Sequence, residues 1–261
     1  SHKFNDFKKF EKFINNFGHS KKYTGLTYKI LIPRFFNFFR NQYIKKNMLD
    51  NQFKKWNFFT NNKNIKELNT PKYGNHHGGY IQNSTFVTHT SFYHEIYGSI
   101  LANFLHDKSN PIIAEIGGGF GEQAYFLIKK LKKNTYLNFD LPEVLVLSMF
   151  YLMNAFPNKK ILLYGEKKLS NDCLNKYDLI FMPPSSINKL NKNSIDLMVN
   201  QHSMGEMNKK TVKEYIKIIK KTSRYFFHMN HGYYKRKFER KNYNVLSHEY
   251  NLEKLGFSLI I

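Results

Sequence analysis

The chain has 261 residues, of which 41% are hydrophobic and 17% aromatic, and it carries a formal charge of +22. That length and apolar content exclude a disordered basic tail and suffice to bury a real core, as one α/β domain behind an elaborated N-terminal segment. The lone cysteine, Cys173, excludes an intrachain disulfide framework and a cysteine-rich zinc site, which suits a reducing cytoplasm.

Residues 1–95 read as a helical N-terminal extension rich in Phe, Tyr and Lys. Phe35-Phe36, Phe38-Phe39 and Tyr43 are expected to pack against the core or against a second subunit. Tyr73-Gly74-Asn75-His76-His77-Gly78-Gly79-Tyr80 reads as a flexible loop with two histidines and an aromatic residue at each end. His89-Thr90-Ser91-Phe92-Tyr93-His94 then leads into the helix before the first core strand. Such a loop can act as a lid over a ligand, with Tyr73, His76, Tyr80, His89 and Tyr93 as contacts. It can equally be an ordinary glycine-rich connection with exposed histidines.

Residues 96–261 carry the strongest signal. A short apolar strand, Ile112-Ile113-Ala114-Glu115-Ile116, runs into Gly117-Gly118-Gly119-Phe120-Gly121 and then into a helix starting at Glu122. Glycine allows a sharp turn at a strand end and close approach of backbone to a ligand, and the following helix offers free N–H groups to an anionic group. The third glycine falls one residue early for a dinucleotide Gly-x-Gly-x-x-Gly fingerprint. Ala124, Leu127, Ile128 and Leu131 fall at helical spacing, and Thr135 to Asp140 reads as the next strand. Pro142 and Pro157 bracket a helix. Strand-like runs follow at Lys160 to Tyr164, Tyr177 to Met182 and Ile195 to Asn200, then a helix from Lys209 to Lys221 with Val212, Tyr215, Ile216 and Ile219 on one stripe. Ser223 to Met229 reads as a strand, Glu249 to Leu255 as a helix and Phe257 to Ile261 as a closing strand. The alternation predicts a mostly parallel, Rossmann-like sheet flanked by helices, with ligands at the strand C-termini.

Glu115, Gly117, Gly119 and Gly121 match the acid-x-Gly-x-Gly-x-Gly motif of the class I S-adenosylmethionine-dependent methyltransferases, which the chain thereby resembles. The resemblance implies S-adenosyl-L-methionine as cofactor, with Glu115 among its binding residues and the cofactor lying along Gly117, Gly118, Gly119 and Gly121. It implies that Asp140, with Leu141 beside it, meets the ribose hydroxyls, and that Asn200 closes the cofactor site. A finer resemblance adds Asp140-Leu141-Pro142-Glu143-Val144-Leu145 and Asn200-Gln201-His202-Ser203-Met204-Gly205-Glu206-Met207, which look like the bacterial sugar O-methyltransferases associated with surface-polysaccharide and capsule loci. It covers residues 73 to 231 and makes Tyr73, His76, Tyr80, His89, Tyr93 and Asn230 candidate sugar contacts. Against the usual methyltransferase core there is one strand candidate too many between Asp140 and Asn200, and the C-terminus is short for the final antiparallel hairpin.

Methyl transfer to a hydroxyl needs a base to take the proton as the bond forms. His202, after the fourth core strand, is the first candidate, with Glu206 as orienting partner; backbone hydrogen bonding at a strand end is its bland alternative. Of His228 and His231, only His231 lies past the fifth strand, so it is the second candidate. No metal site is expected, because no aspartate pair follows the fourth strand and the histidines lack a third partner at a diagnostic spacing.

Lysines recur along the whole chain and alternate with asparagine, so much of the charge reads as compositional. A basic field still favours an anionic sugar or nucleotide-sugar acceptor, and Tyr233 to Lys241 is either an anion-binding lid or a solvated charged segment. Two other readings stand beside the sugar methyltransferase: the same cofactor with an RNA, phosphate-derived or other small-molecule acceptor, and a non-catalytic binding module of the same fold. The absence of an Asn/Asp-Pro-Pro-aromatic motif after the fourth strand weighs against nucleic acid. The longest apolar run, Val144 to Phe156, is broken by Ser148 and Asn154 and is too short to span a bilayer. A cytoplasmic location follows as the expectation, peripheral attachment to the inner membrane face being its variant, and a homodimer is compatible with the chain.

Overall fold

The computed structural model describes residues 6–19, 37–76, 79–82, 84–232 and 245–260. Phe35, Phe36, His77 and the basic stretch Tyr233 to Lys241 lie outside the described residues, as do the side chains of Phe38, Phe39, Tyr43 and Tyr80. The chain divides into two compact units, one of Ser1–Phe104, Gly121–Lys130 and Phe150–Ala155, the other of Leu105–Phe120, Leu131–Met149 and Phe156–Ile261.

The first unit holds α1 (Phe7–Asn15), α2 (Asn37–Thr60), a hairpin of β1 (Tyr80–Gln82) and β2 (Thr85–Val87), α3 (Ser91–Phe104) and α4 (Glu122–Lys130). Leu49 and Trp56 of α2 are two helical turns apart, so both face inward, where they bury against Leu68, Val87 and Phe92. Gly98 lets α3 and α4 approach closely, since a Cβ there would stand 3.1 Å from Phe126 Cβ. Glu95 is buried in this unit and accepts from Trp56 Nε1 at 2.7 Å, Lys130 Nζ at 2.8 Å and Ser99 Oγ at 2.8 Å. Burial pushes its carboxyl up, but the donors outweigh burial and the net shift is down.

The second unit is built on β3 (Ile112–Ile116), β4 (Thr135–Phe139), β5 (Ile161–Leu163), β6 (Leu179–Met182), β7 (Ile195–Gln201) and β8 (Ser223–Met229), all parallel, in the order β5-β6-β4-β3-β7-β8. Strands β4 and β6 are buried along their whole length, as expected of a parallel sheet covered on both faces. α7 (Lys209–Thr222) turns Val212, Ile216 and Ile219 into the core, and its first turn is capped by Asn208, which accepts from Thr211 N at 2.9 Å. α5 (Pro142–Ala155) starts on a proline and α6 (Cys173–Lys176) buries the only cysteine. The fold is the Rossmann-like α/β arrangement.

The surplus strand candidate does form, as β5, a three-residue edge strand outside β6. Three other expectations need correction. The expected C-terminal helix is two separate 3-10 turns, Ser247–Tyr250 and Glu253–Leu255, divided by Asn251 at φ +51°. Residues 257–260 form no strand; Phe257 packs against the core beside Phe226, while Leu259 and Ile260 stay exposed. In the N-terminal segment, expected to be helical, the chain also makes the β1–β2 hairpin.

Candidate functional site

The strand order reverses between β3 and β7, and such a point opens a crevice at the strand C-termini. The glycine turn after β3 lies there, held from both sides. Gly117 N donates to Phe139 O at 2.8 Å on the β4 side. On the β7 side the Ile116 carbonyl accepts from Asn200 Nδ2 at 2.8 Å and from Ser203 Oγ at 3.0 Å. Gly117, Gly119 and Gly121 adopt φ of +73°, +57° and +98°, the left-handed region in which a side chain is strained.

The glycines have different reasons to be glycine. A Cβ on Gly117 would meet Ser203 Oγ at 2.2 Å, and one on Gly118 would meet Asn138 Oδ1 and Glu115 Oε2, each at 2.8 Å. On Gly119 it would meet nothing within 4 Å among the described residues, so their packing does not account for glycine there. The Gly119 N–H donates to Asp140 Oδ2 at 3.0 Å, and Leu141 N donates to Asp140 Oδ1 at 2.8 Å. Each carboxylate oxygen keeps a further acceptor site for a ligand hydroxyl. Burial pushes the Asp140 carboxyl up to about 6, against the pull of these two N–H groups. Leu141 itself is exposed.

Glu115 lies under the turn. Its carboxylate accepts from the Tyr136 hydroxyl, and burial pushes it up to about 7. Asn200 braces the turn: its Nδ2 faces a carbonyl that can only accept, which fixes the amide orientation and turns Oδ1 toward Asn230 Nδ2 at 2.8 Å. Asn230 must then donate to Asn200, leaving its own Oδ1 buried without a hydrogen-bond partner among the described residues.

His202 is exposed just after β7 in a left-handed conformation, φ +60°, with its N–H held by Met229 O at 2.8 Å. Its ring stands 5.6 Å from that of His231, whose carbonyl accepts from Ser247 N at 2.8 Å. The structure therefore brings together His202 and His231. His228 instead stacks on Phe226 and leans on Tyr250, and burial pulls its pKa down. Glu206 sits exposed on the 3-10 turn Met204–Glu206.

In the first unit, His76 is buried between Phe17 and Tyr151, with ring centroids 5.4 and 6.1 Å away, and burial lowers its pKa. The reading of residue 76 as part of an open loop is thus corrected: it is a core histidine. Tyr73 packs edge-on against Phe150, and Tyr93 against the ring of His94 at 4.2 Å. His89 is partly buried, and Tyr80 contributes its backbone to β1.

Sequence reasoning missed Ser203, Tyr136 and a buried cluster around Glu122. That carboxylate accepts from Thr88 Oγ1 at 2.6 Å, from the Thr90 hydroxyl, from Ser91 Oγ at 3.2 Å and from His94 Nδ1 at 3.0 Å. Burial opposes its ionisation, but His94 and the threonine hydroxyls hold it down at about 2. The available signal was an acid in the first helical turn together with the polar spacing Thr88, Thr90, Ser91, His94. Among the described residues no group of three or more His, Cys, Asp or Glu side chains is placed to hold a metal ion, and no helix is long and apolar enough to cross a membrane.

No protein-family model and no curated protein matches the sequence. Several solved structures are similar in arrangement. One, from Methanococcus maripaludis and assigned as an S-adenosyl-L-methionine-dependent methyltransferase, is 18% identical over 63% of this chain and 78% of its own, with a TM-score of 0.40. The CurJ carbon methyltransferase is 12% identical over 63% of this chain and 47% of its own, with a TM-score of 0.43. A Nostoc punctiforme protein assigned as an O-methyltransferase is 11% identical over 81% of this chain and 64% of its own, at a TM-score of 0.41. The match thus spans less than two thirds of the latter two chains. At such identities and scores the likeness goes no further than general arrangement, and the chemistry rests on the residues themselves.

Proposed function

We propose that the chain is an S-adenosylmethionine-dependent O-methyltransferase acting on a sugar hydroxyl, with His202 as general base. The observation that carries the reading is the junction of Gly119 with Asp140: a left-handed glycine open on its Cβ side, bonded through its N–H to a buried carboxylate at the next strand end. That pairing suits a nucleoside whose ribose hydroxyls donate to Asp140 while its chain lies along the glycine turn. Bound there, S-adenosylmethionine supplies an electrophilic methyl group on a sulfonium. Asn200 holds the turn in shape, and Gly118 leaves room for the Glu115 and Asn138 oxygens beneath it.

His202 takes the proton that the acceptor hydroxyl gives up, and His231, whose ring lies beside it, shares the exposed face after β7 and β8. The unpartnered Asn230 Oδ1 suits an acceptor rich in hydroxyl donors, which favours a sugar over an acceptor with a single hydroxyl. Glu206, at the end of the following turn, is the nearest acid in sequence to orient the base.

Calorimetric titration with S-adenosylmethionine and, separately, with NAD tests the cofactor. Micromolar binding of the first alone is expected, lost on Asp140→Ala. Ribose hydroxyls donate to the ionised carboxylate, so affinity should rise as pH passes upward through about 6. Tighter binding of NAD would overturn the reading. With a panel of nucleotide sugars, His202→Ala should lower kcat at least a hundredfold and leave cofactor affinity unchanged.

A further inference from the structure

The last two turns of α2 break the rule that the outer face of a surface helix is polar. Phe58 and Phe59 are 82% and 71% exposed, with rings edge-to-face at 5.5 Å, whereas Phe53 and Trp56 on the other face pack inward. Lys54 and Lys55 are exposed one helical turn before the two phenylalanines, at the i, i+4 spacing that puts Lys54 beside Phe58 and Lys55 beside Phe59. Lys66 is exposed just beyond the helix, and residues 51–66 contain no aspartate or glutamate.

We propose that this end of α2 docks on an anionic lipid surface, with Phe58 and Phe59 entering the interfacial layer and Lys54, Lys55 and Lys66 meeting phosphate headgroups. The charge pattern chooses among the occupants. A second copy of the chain would set lysine against lysine in a two-fold contact, and like charges at close range oppose it. A nucleic acid would satisfy the lysines, but the edge-to-face ring pair sits on a convex helix end, unlike the groove with open ring faces on which successive bases stack. A lipid interface takes both parts at once: aromatic side chains favour the boundary layer, and each lysine near an anionic surface adds about fivefold in affinity. The inference stands apart from the methyl-transfer reading and uses none of its residues.

The test is co-sedimentation of the full chain with vesicles of pure phosphatidylcholine or of phosphatidylcholine with 30 mol% phosphatidylserine. Binding is expected to the anionic vesicles alone. Phe58→Ser with Phe59→Ser should weaken it at least tenfold, and Lys54→Glu with Lys55→Glu at least twentyfold. The buried Trp56, the only tryptophan of the chain, reports by its fluorescence whether each variant is folded. In a Phe59→Trp variant, brominated phosphatidylserine should quench the added tryptophan. No binding to anionic vesicles overturns the proposal. So does binding that survives the double serine variant, which would be adsorption through the overall charge of +22. Binding to poly(U) in preference to vesicles, lost in the same variants, overturns it in favour of RNA.

Discussion

Replacing Gly119 and Gly117 separately by alanine should break two different things. Both residues are left-handed, at φ +57° and +73°, so each alanine costs about 1–2 kcal/mol of backbone strain. For Gly119 the strain is the whole structural cost, because the new methyl meets nothing within 4 Å. For Gly117 the methyl drives into Ser203 Oγ at 2.2 Å and Cβ at 2.4 Å, adding about 1–3 kcal/mol of overpacking. Ser203 also holds the Ile116 carbonyl, so its displacement loosens the anchor of the whole turn. Thermal melts should therefore show Gly119→Ala lower than the parent by about 2–8 °C, and Gly117→Ala by clearly more, at about 2–4 °C for each kcal/mol. Calorimetry at 25 °C should show the reverse emphasis for the milder variant: Gly119→Ala, though folded, loses S-adenosylmethionine affinity at least a hundredfold, about 2.7 kcal/mol, since its methyl fills the space a bound ligand would use. Parental affinity in Gly119→Ala would refute the idea that the open side of this glycine faces a ligand. Equal destabilisation by the two alanines would refute the packing argument.

The two buried carboxylates of opposite behaviour give opposite pH responses. Glu122, held down at about 2, contributes stability that is present above pH 4.5 and lost as pH falls toward 2, about 3 kcal/mol in all. Urea melts at pH 7 and pH 3 should show Glu122→Gln weaker than the parent at pH 7 and losing less on acidification; equal losses in both proteins would count against the cluster. Glu115, pushed up to about 7, binds its proton more tightly folded than unfolded, so its contribution is present below pH 4.5 and lost as pH rises through 7, again about 3 kcal/mol. Glu115→Gln keeps an acceptor for the Tyr136 hydroxyl and should flatten that decline, equalling or exceeding the parent at pH 8. A variant less stable at pH 8 with the slope unchanged would show that the carboxylate is needed ionised.

The sequence by itself determined the local elements whose cause is local. Four glycines at a strand end announce the turn after β3, short apolar runs announce β4, β6, β7 and β8, and the 3.6-residue stripe of Val212, Ile216 and Ile219 announces α7. Asp140 was legible as the acid after the next strand, because its role depends on position along the chain. Tertiary structure decided what depends on which strands are neighbours. Placing β6 inside β5 made the surplus strand an edge, and pairing β7 with β8 brought His202 beside His231 while leaving His228 among aromatic rings. Packing within the first unit buried His76, which its glycine-rich surroundings had suggested was open, and gathered Thr88, Thr90, Ser91 and His94 around Glu122. A hydrogen bond between residues 28 or 34 positions apart leaves no periodic trace in a sequence, because its cost and its reward are settled only when the chain has closed the loop between them.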